Sequence, residues 1–218
     1  MITQITESTK RVLDSIPPGV TVVAAAKGRT NKEVEVAIKA GITNVGHNYI
    51  QEAQPMIQIL GDKITWHMIG HLQRNKVKRA VPIFNLIETV DSLRLAKTIN
   101  MNCEAQGIKM PVLIEINSGR ETSKTGVLPE NLDDLVSDLA GMEYIHIQGL
   151  MTMGPRFGKP EDARPYFQAT RKAFEHLAKL PYLEMRFLSM GMSNSYLIAI
   201  EEGANLIRIG TKIFGERP

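Results

Sequence analysis

A chain of 218 residues with 43% hydrophobic and 22% charged positions is long enough for one sizeable core and ordinary in composition for a soluble globular protein. Its 26 basic and 23 acidic residues leave a net charge of +3, scattered rather than striped with aromatics, which argues against a nucleic-acid surface; no apolar run approaches the ~18 residues of a membrane span. A single cysteine, Cys103, excludes an internal disulfide and a cysteine-rich zinc cluster, and a start without a basic, apolar leader points to the cytoplasm.

A helix is expected from about Thr3 to Ile16. Eight strand-like runs follow, each rich in β-branched or apolar residues and bounded by turn residues: "VTVVAAA", "ITNVGHN", "ITWHMIG", "LIETVDS", "VLIEINS", "IHIQGLMTM", "MRFLSMG" and "LIRIGTKIFG". Helical patterns lie between them. Thr30 and Glu33 form a capping box ahead of Val34, Ala37 and Ile38, and Gly41 stops that helix. Asp91 and Ser92 read as N-caps ahead of "LRLAKTI", and Cys103 as helix packing. Pro165 opens another helix, whose apolar face runs through Phe167, Phe174, Leu177 and Ala178 until Pro181. Eight βα units with short connections predict an α/β fold, a single-domain (β/α)8 TIM barrel over residues 1–218 with an N-terminal helix. The competing doubly wound sheet would show a G-x-G-x-x-G turn if it held a dinucleotide, and "AAAKGRT" has none.

One parity of "VLIEINS" is Val112, Ile114 and Ile116 and the other carries Glu115 and Asn117; Ile207 and Ile209 alternate with Arg208 in the same way. The polar parity should face the lumen, either lining a binding site or, for Glu115 and Arg208, forming an internal ion pair. Function in such barrels sits at the carboxyl ends of the strands, here Lys27, Asn48, His71, Asp91, Asn117, Thr152, Ser189, Gly210 and Thr211. "SMGMSNSYLIAI" is expected to turn from strand into helix with Ser193 at the cap, offering N–H groups to an anion, and "RIGT" adds Gly210 and Thr211; Ser193 also reads as a plain N-cap. Strand eight closes beside strand one, so Lys27 should stand next to this phosphate cup. A lysine in a partly dry site beside other cations is a nucleophilic amine able to form a Schiff base. The phosphorylated aldehyde that recurs with such lysines is pyridoxal 5'-phosphate, and Arg208 could reach its pyridine nitrogen, weakening the electron sink.

Three other patterns carry less. "GRETSKTG" lacks the glycine that a nucleotide loop needs where Ser123 and Lys124 stand; His67 and His71 in "HMIGH" lack the glutamate of a zinc helix, leaving His71 as a pocket-lining candidate. The methionines of "LMTM" and "SMGM" are core or pocket filler.

The stretches "VAAAKGRT", "GHNYIQE", "WHMIGHLQRNKV", "VDSLRLA", "SGRETSKTG", "GLMTMGP", "RPYF", "LSMGMSNSY" and "AIEEGANLIRIGTKIFGER" resemble, in order and wording, the pyridoxal phosphate homeostasis family, over about Val20 to Arg217. That resemblance implies an alanine racemase N-terminal-domain-like barrel without the racemase's second domain. It also implies Lys27 as the Schiff-base lysine, Asn48 as the asparagine of the family's G-E-N-Y motif, Ser193, Gly210 and Thr211 as the phosphate cup, and Arg208 at the pyridine nitrogen. Lys124 matches another family lysine. Three departures stand out: Ala26-Lys27-Gly28-Arg29-Thr30 replaces the usual S-K-T-K-P, His47 replaces a glutamate, and the N-terminal helical region is short. The implied role is pyridoxal phosphate (vitamin B6) homeostasis by a cytoplasmic monomer without catalytic turnover, with cofactor-recipient enzymes as candidate partners. An amino-acid racemase or a Schiff-base aldolase at the same lysine is the alternative, and no metal, nucleic acid or membrane is expected.

Overall fold

Eight parallel strands close into a barrel in chain order: β1 (Thr21–Ala25), β2 (Asn44–His47), β3 (Thr65–Met68), β4 (Leu86–Val90), β5 (Met110–Glu115), β6 (Ile145–Met151), β7 (Phe187–Ser189) and β8 (Leu206–Ile209). The computed structural model describes residues 2–122, 124–155 and 158–216; Ser123 of the rejected nucleotide loop and Arg217 at the end of the family-like stretch lie outside the described residues. Closure is made by β1, which pairs β2 on one side and β8 on the other, setting Val23 beside Arg208. The helices α1 (Ile2–Asp14), α2 (Asn31–Lys39), α3 (Ile50–Leu60), α4 (Val77–Ala80), α5 (Leu93–Glu104), α6 (Leu132–Ala140), α7 (Arg164–Leu177), α8 (Tyr196–Glu201) and α9 (Thr211–Phe214) alternate with them. The barrel and its leading helix are thus as the alternation of patterns predicts, although α1 ends at Asp14, ahead of Ile16.

Strand parity divides the interior in two. Outward residues such as Val45, Trp66, Ile87, Val112, Ile114, Leu150 and Ile207 pack against the helices in one continuous core, while Val23, Leu86, Leu113, Met151 and Leu206 form a separate plug inside the lumen. Two residues further along their strands, towards the carboxyl ends, the plug gives way to the buried Glu88, Glu115 and Arg208. An apolar floor below a polar layer is what period-two alternation imposes once one parity is turned inward. At Gly149 (φ +156°) a Cβ would lie 1.8 Å from the carbonyl oxygen of Phe187, so only glycine lets β6 lie against β7 there.

Local signals hold in α2, where the Thr30 hydroxyl accepts from the Glu33 N–H and Glu33 reaches back to Thr30, completing the capping box. Pro165 sits in the first turn of α7, and Phe167 and Leu177 are buried on its inner face. Cys103 is buried in α5, and burial raises its thiol to about 11. Three strand expectations are corrected. "LIRIGTKIFG" stays extended only to Ile209, because the Gly210 carbonyl accepts the N–H groups of Ile213 and Phe214 and winds the rest into α9. β6 stops at Met151, before Met153, and β7 is three residues long. Among the described residues no helix is long and apolar enough to cross a membrane, and no group of three His, Cys, Asp or Glu residues could hold a metal ion.

Candidate functional site

All six residues singled out from the sequence, Lys27, Asn48, Ser193, Arg208, Gly210 and Thr211, line one cavity of about 700 Å³ at the carboxyl-terminal mouth of the barrel, together with Ala25, Ile69, Met153 and Met192. The volume is that of a typical small-molecule site. Lys27 stands two residues past β1 on a loop that turns through Gly28 (φ +71°). The Gly28 N–H donates to the Glu52 carboxylate of α3 at 3.0 Å, and the Lys27 ammonium lies 5.3 Å from the centre of the Tyr49 ring. One methionine of each expected pair, Met153 and Met192, reaches this cavity, while Met151 and Met190 are core.

On the neighbouring strand β8, Arg208 rises from the lumen, 5% exposed, and its position is determined by its partners. Its guanidinium donates to the Ser189 hydroxyl and, at 2.7 Å, to the Thr152 carbonyl, and lies 3.6 Å from Glu88. Glu88 accepts from Ser189 at 2.6 Å and pairs with the His67 ring at 2.7 Å, and the far His67 nitrogen meets Asn44 at 3.0 Å. Burial alone would raise the Glu88 pKa, but the His67 hydrogen bond and charge, with help from Arg208 and Ser189, hold it below the ordinary carboxylate value. Burial presses the Arg208 pKa down, and the Glu88 and Glu115 charges oppose it. Of the two readings of the inward charges, the ion pair between Arg208 and Glu115 is therefore corrected to Arg208 with Glu88. Glu115 instead accepts from Thr125 at 2.7 Å, keeps its other oxygen without a partner among the described residues, and has its pKa raised by burial. The sequence reading missed Glu88; its only signal was an acid inside the otherwise apolar run "LIETV".

Ser193 has a different role from the one its spacing suggests. The cap of α8 is Ser195, and Ser193 reaches across to the turn after β8, where its hydroxyl accepts the N–H groups of Gly210 at 3.2 Å and Lys212 at 3.3 Å. It shares the cup with Gly210 and Thr211 by capping α9, a contact between chain segments that local spacing does not reveal. His71 is also corrected: it lines a neighbouring cavity with Arg74, Asp91 and Arg94, 3.4 Å from Asp91. Ser92 does cap α5, whereas Asp91 accepts from Ser92 rather than from the helix. Asn117 holds its own loop through Glu121, and Thr152 and Ser189 support Arg208. Lys124 donates to Glu121 and, at 2.8 Å, to the Gly154 carbonyl.

The sequence pattern of the family described as alanine racemase, N-terminal domain, matches residues 3–218. A pyridoxal phosphate homeostasis protein of Aquifex aeolicus is 41% identical over 81% of this chain and 78% of its own, and one of Schizosaccharomyces pombe is 35% identical over 91% and 85%. The structure of PipY from Synechococcus elongatus with PLP bound superimposes with a TM-score of 0.89 at 30% identity, covering 97% of this chain and all (100%) of that one. Alanine racemase from Corynebacterium glutamicum shares the fold, with a TM-score of 0.82 at 21% identity over 100% of this chain and 61% of the racemase.

Proposed function

The chain belongs to the alanine racemase N-terminal domain family and, within it, to the pyridoxal phosphate homeostasis proteins, and on that premise we propose that it binds pyridoxal 5'-phosphate as a Schiff base on Lys27 and serves intracellular vitamin B6 homeostasis without catalytic turnover. The observation that carries this reading is the convergence of an amine, a hydroxyl, a fixed guanidinium and the cup after β8 on one cavity. The donor set fits the group: the cavity is lined by hydroxyl and N–H functions for a phosphate, an amine for an aldehyde, and Ile69, Met153 and Met192 for a flat ring.

When bound, the cofactor supplies an electrophilic aldehyde carbon and a ring that can accept electrons. The protein's part is to hold it. Lys27 provides the amine. The Ser193 hydroxyl and the first turn of α9 would receive the phosphate, and Asn48, which lines the same cavity, would face the ring. Arg208, kept charged and immobile by Glu88, Ser189 and the Thr152 carbonyl, would keep the ring nitrogen unprotonated. A weakened electron sink suits storage better than carbanion chemistry. The homeostasis role named for the relatives supports the same choice. The remaining features of the proposal are one barrel domain over residues 1–218, a cytoplasmic monomer, and transfer of the cofactor to recipient enzymes.

The test is the visible absorbance of the purified protein with added pyridoxal 5'-phosphate, beside Lys27→Ala, followed by borohydride reduction and peptide mapping. A yellow band that reduction fixes on Lys27, and that the variant lacks, is expected. A band unchanged in Lys27→Ala would overturn the linkage. Exchange of the α-proton of an added L-amino acid, lost in Lys27→Ala, would replace storage with racemase turnover; Lys27 left free beside cleavage of a sugar phosphate would favour the aldolase.

A further inference from the structure

Arg29 lines the same cavity as Lys27, yet its guanidinium is committed elsewhere. It donates to the carbonyl of Gly215 and, at 3.0 Å, to that of Glu216, pairs with Glu33 at 3.2 Å, and lies over the Phe214 ring with 5.6 Å to the centroid. The side chain is only 6% exposed, although it follows the exposed Gly28. Its anchorage is rigid, because Glu33 is itself held in the capping box of α2 and Gly28 is held by Glu52. On the other side, Gly215 (φ +80°) reverses the chain after α9 and brings Glu216 back to the cavity wall. An acid at the rim of an anion cup would repel a phosphate, so bonds within the chain have to hold Glu216 there. The bonds from Arg29 do so.

We infer that Arg29 is a positioning residue for cofactor exchange: it latches Gly215 and Glu216 at the edge of the cavity, and this latch sets how fast a phosphorylated aldehyde enters and leaves. The inference rests on the cofactor site proposed above and goes beyond it, since the latch touches the chain rather than the ligand. Lysine would replace it only in part, because one ammonium does not span two carbonyls, a carboxylate and a ring face.

Loading and release of pyridoxal 5'-phosphate are followed by stopped-flow absorbance, with an excess of an apo-enzyme as the trap for release. In Arg29→Ala both rates should rise by roughly fivefold or more, the effect of losing about one net hydrogen bond from the closed arrangement, while their ratio changes less than about twofold. Arg29→Lys should fall between. A second readout needs no cofactor: hydrogen exchange at the Gly215 amide, which donates to the Thr211 carbonyl at 2.9 Å, should quicken in Arg29→Ala and not in Lys27→Ala. If Arg29→Ala does not fold, Phe214→Leu removes the ring beneath the guanidinium and leaves the side chains lining the cavity in place. Unchanged exchange at Gly215, unchanged loading and release, or an affinity loss with unchanged loading would each overturn the latch. Absence of the Lys27 band in the unmodified protein sinks the cofactor reading instead, and the amide readout still decides whether Arg29 holds the segment.

Discussion

His47 shows how a single departure from a family pattern can be given a physical reading only in three dimensions. It sits at the end of β2 with 0% exposure, stacks on Trp66 at 6.0 Å, and neither ring nitrogen has a partner among the described residues. Burial lowers its pKa from 6.5 to about 4, and the Glu52 charge only partly opposes this. Between those two values the unfolded chain takes up a proton that the folded chain refuses. Stability therefore rises with pH through the window and is lost on acidification, by about 3 kcal/mol in all. Urea unfolding from pH 7 to pH 4 should show this slope in the native protein and a flatter one in His47→Leu; equal slopes would mean that carboxylates dominate the acid limb. The sequence marked His47 as unusual without indicating that it faces the helices. Lys27 and Arg208 were legible because each follows a run of apolar residues whose parity or end is unambiguous. Glu88 and the Arg29 contacts were not, since their partners lie on other strands and after α9.

Elements were recognisable where their ends carry local chemistry. The capping box of α2 and the proline at the start of α7 are determined by residues within one turn. The spacing in "SMGMSNSYLIAI" puts Ser193 at the cap of α8. In the fold Ser195 holds the N-cap position of α8, its hydroxyl accepting from the Met192 N–H rather than from the helix, and Ser193 turns to α9, which the strand-like composition of "LIRIGTKIFG" concealed. Because Ser193 accepts the Lys212 N–H of the four-residue α9 and the Gly210 N–H just ahead of it, Ser193→Ala should cost about 1 kcal/mol in urea unfolding of the cofactor-free protein. With saturating pyridoxal 5'-phosphate the gap to the native protein should narrow, as phosphate oxygens take over those donors. A gap that stays the same would show that the phosphate binds elsewhere.

At the scale of the whole molecule, the proposed site draws on loops after β1, β2, β7 and β8 together with Arg208 from β8 itself, on both sides of the β1–β8 closure. A ligand spanning that closure should stabilise the barrel as a unit. At a free concentration of about 100 times its dissociation constant it would add about 2.7 kcal/mol, which for a chain of this size is a rise of about 5–10 °C in Tm. Calorimetry with and without pyridoxal 5'-phosphate measures this, and Lys27→Ala should lose most of the rise. An undiminished rise in the variant would mean that the phosphate cup, not the Schiff base, supplies the affinity.

The number of βα units, the inward parity of Arg208 and the position of Lys27 at a strand end follow from the sequence by itself, because periodicity and turn chemistry act over a few residues. Which charge meets which was decided by the tertiary structure alone. Arg208 pairs with Glu88 rather than Glu115, Ser193 caps α9 rather than α8, and Arg29 turns to Gly215 and Glu216. Each of these partners is remote in the chain, and closing the barrel is what brings them within the range of a hydrogen bond.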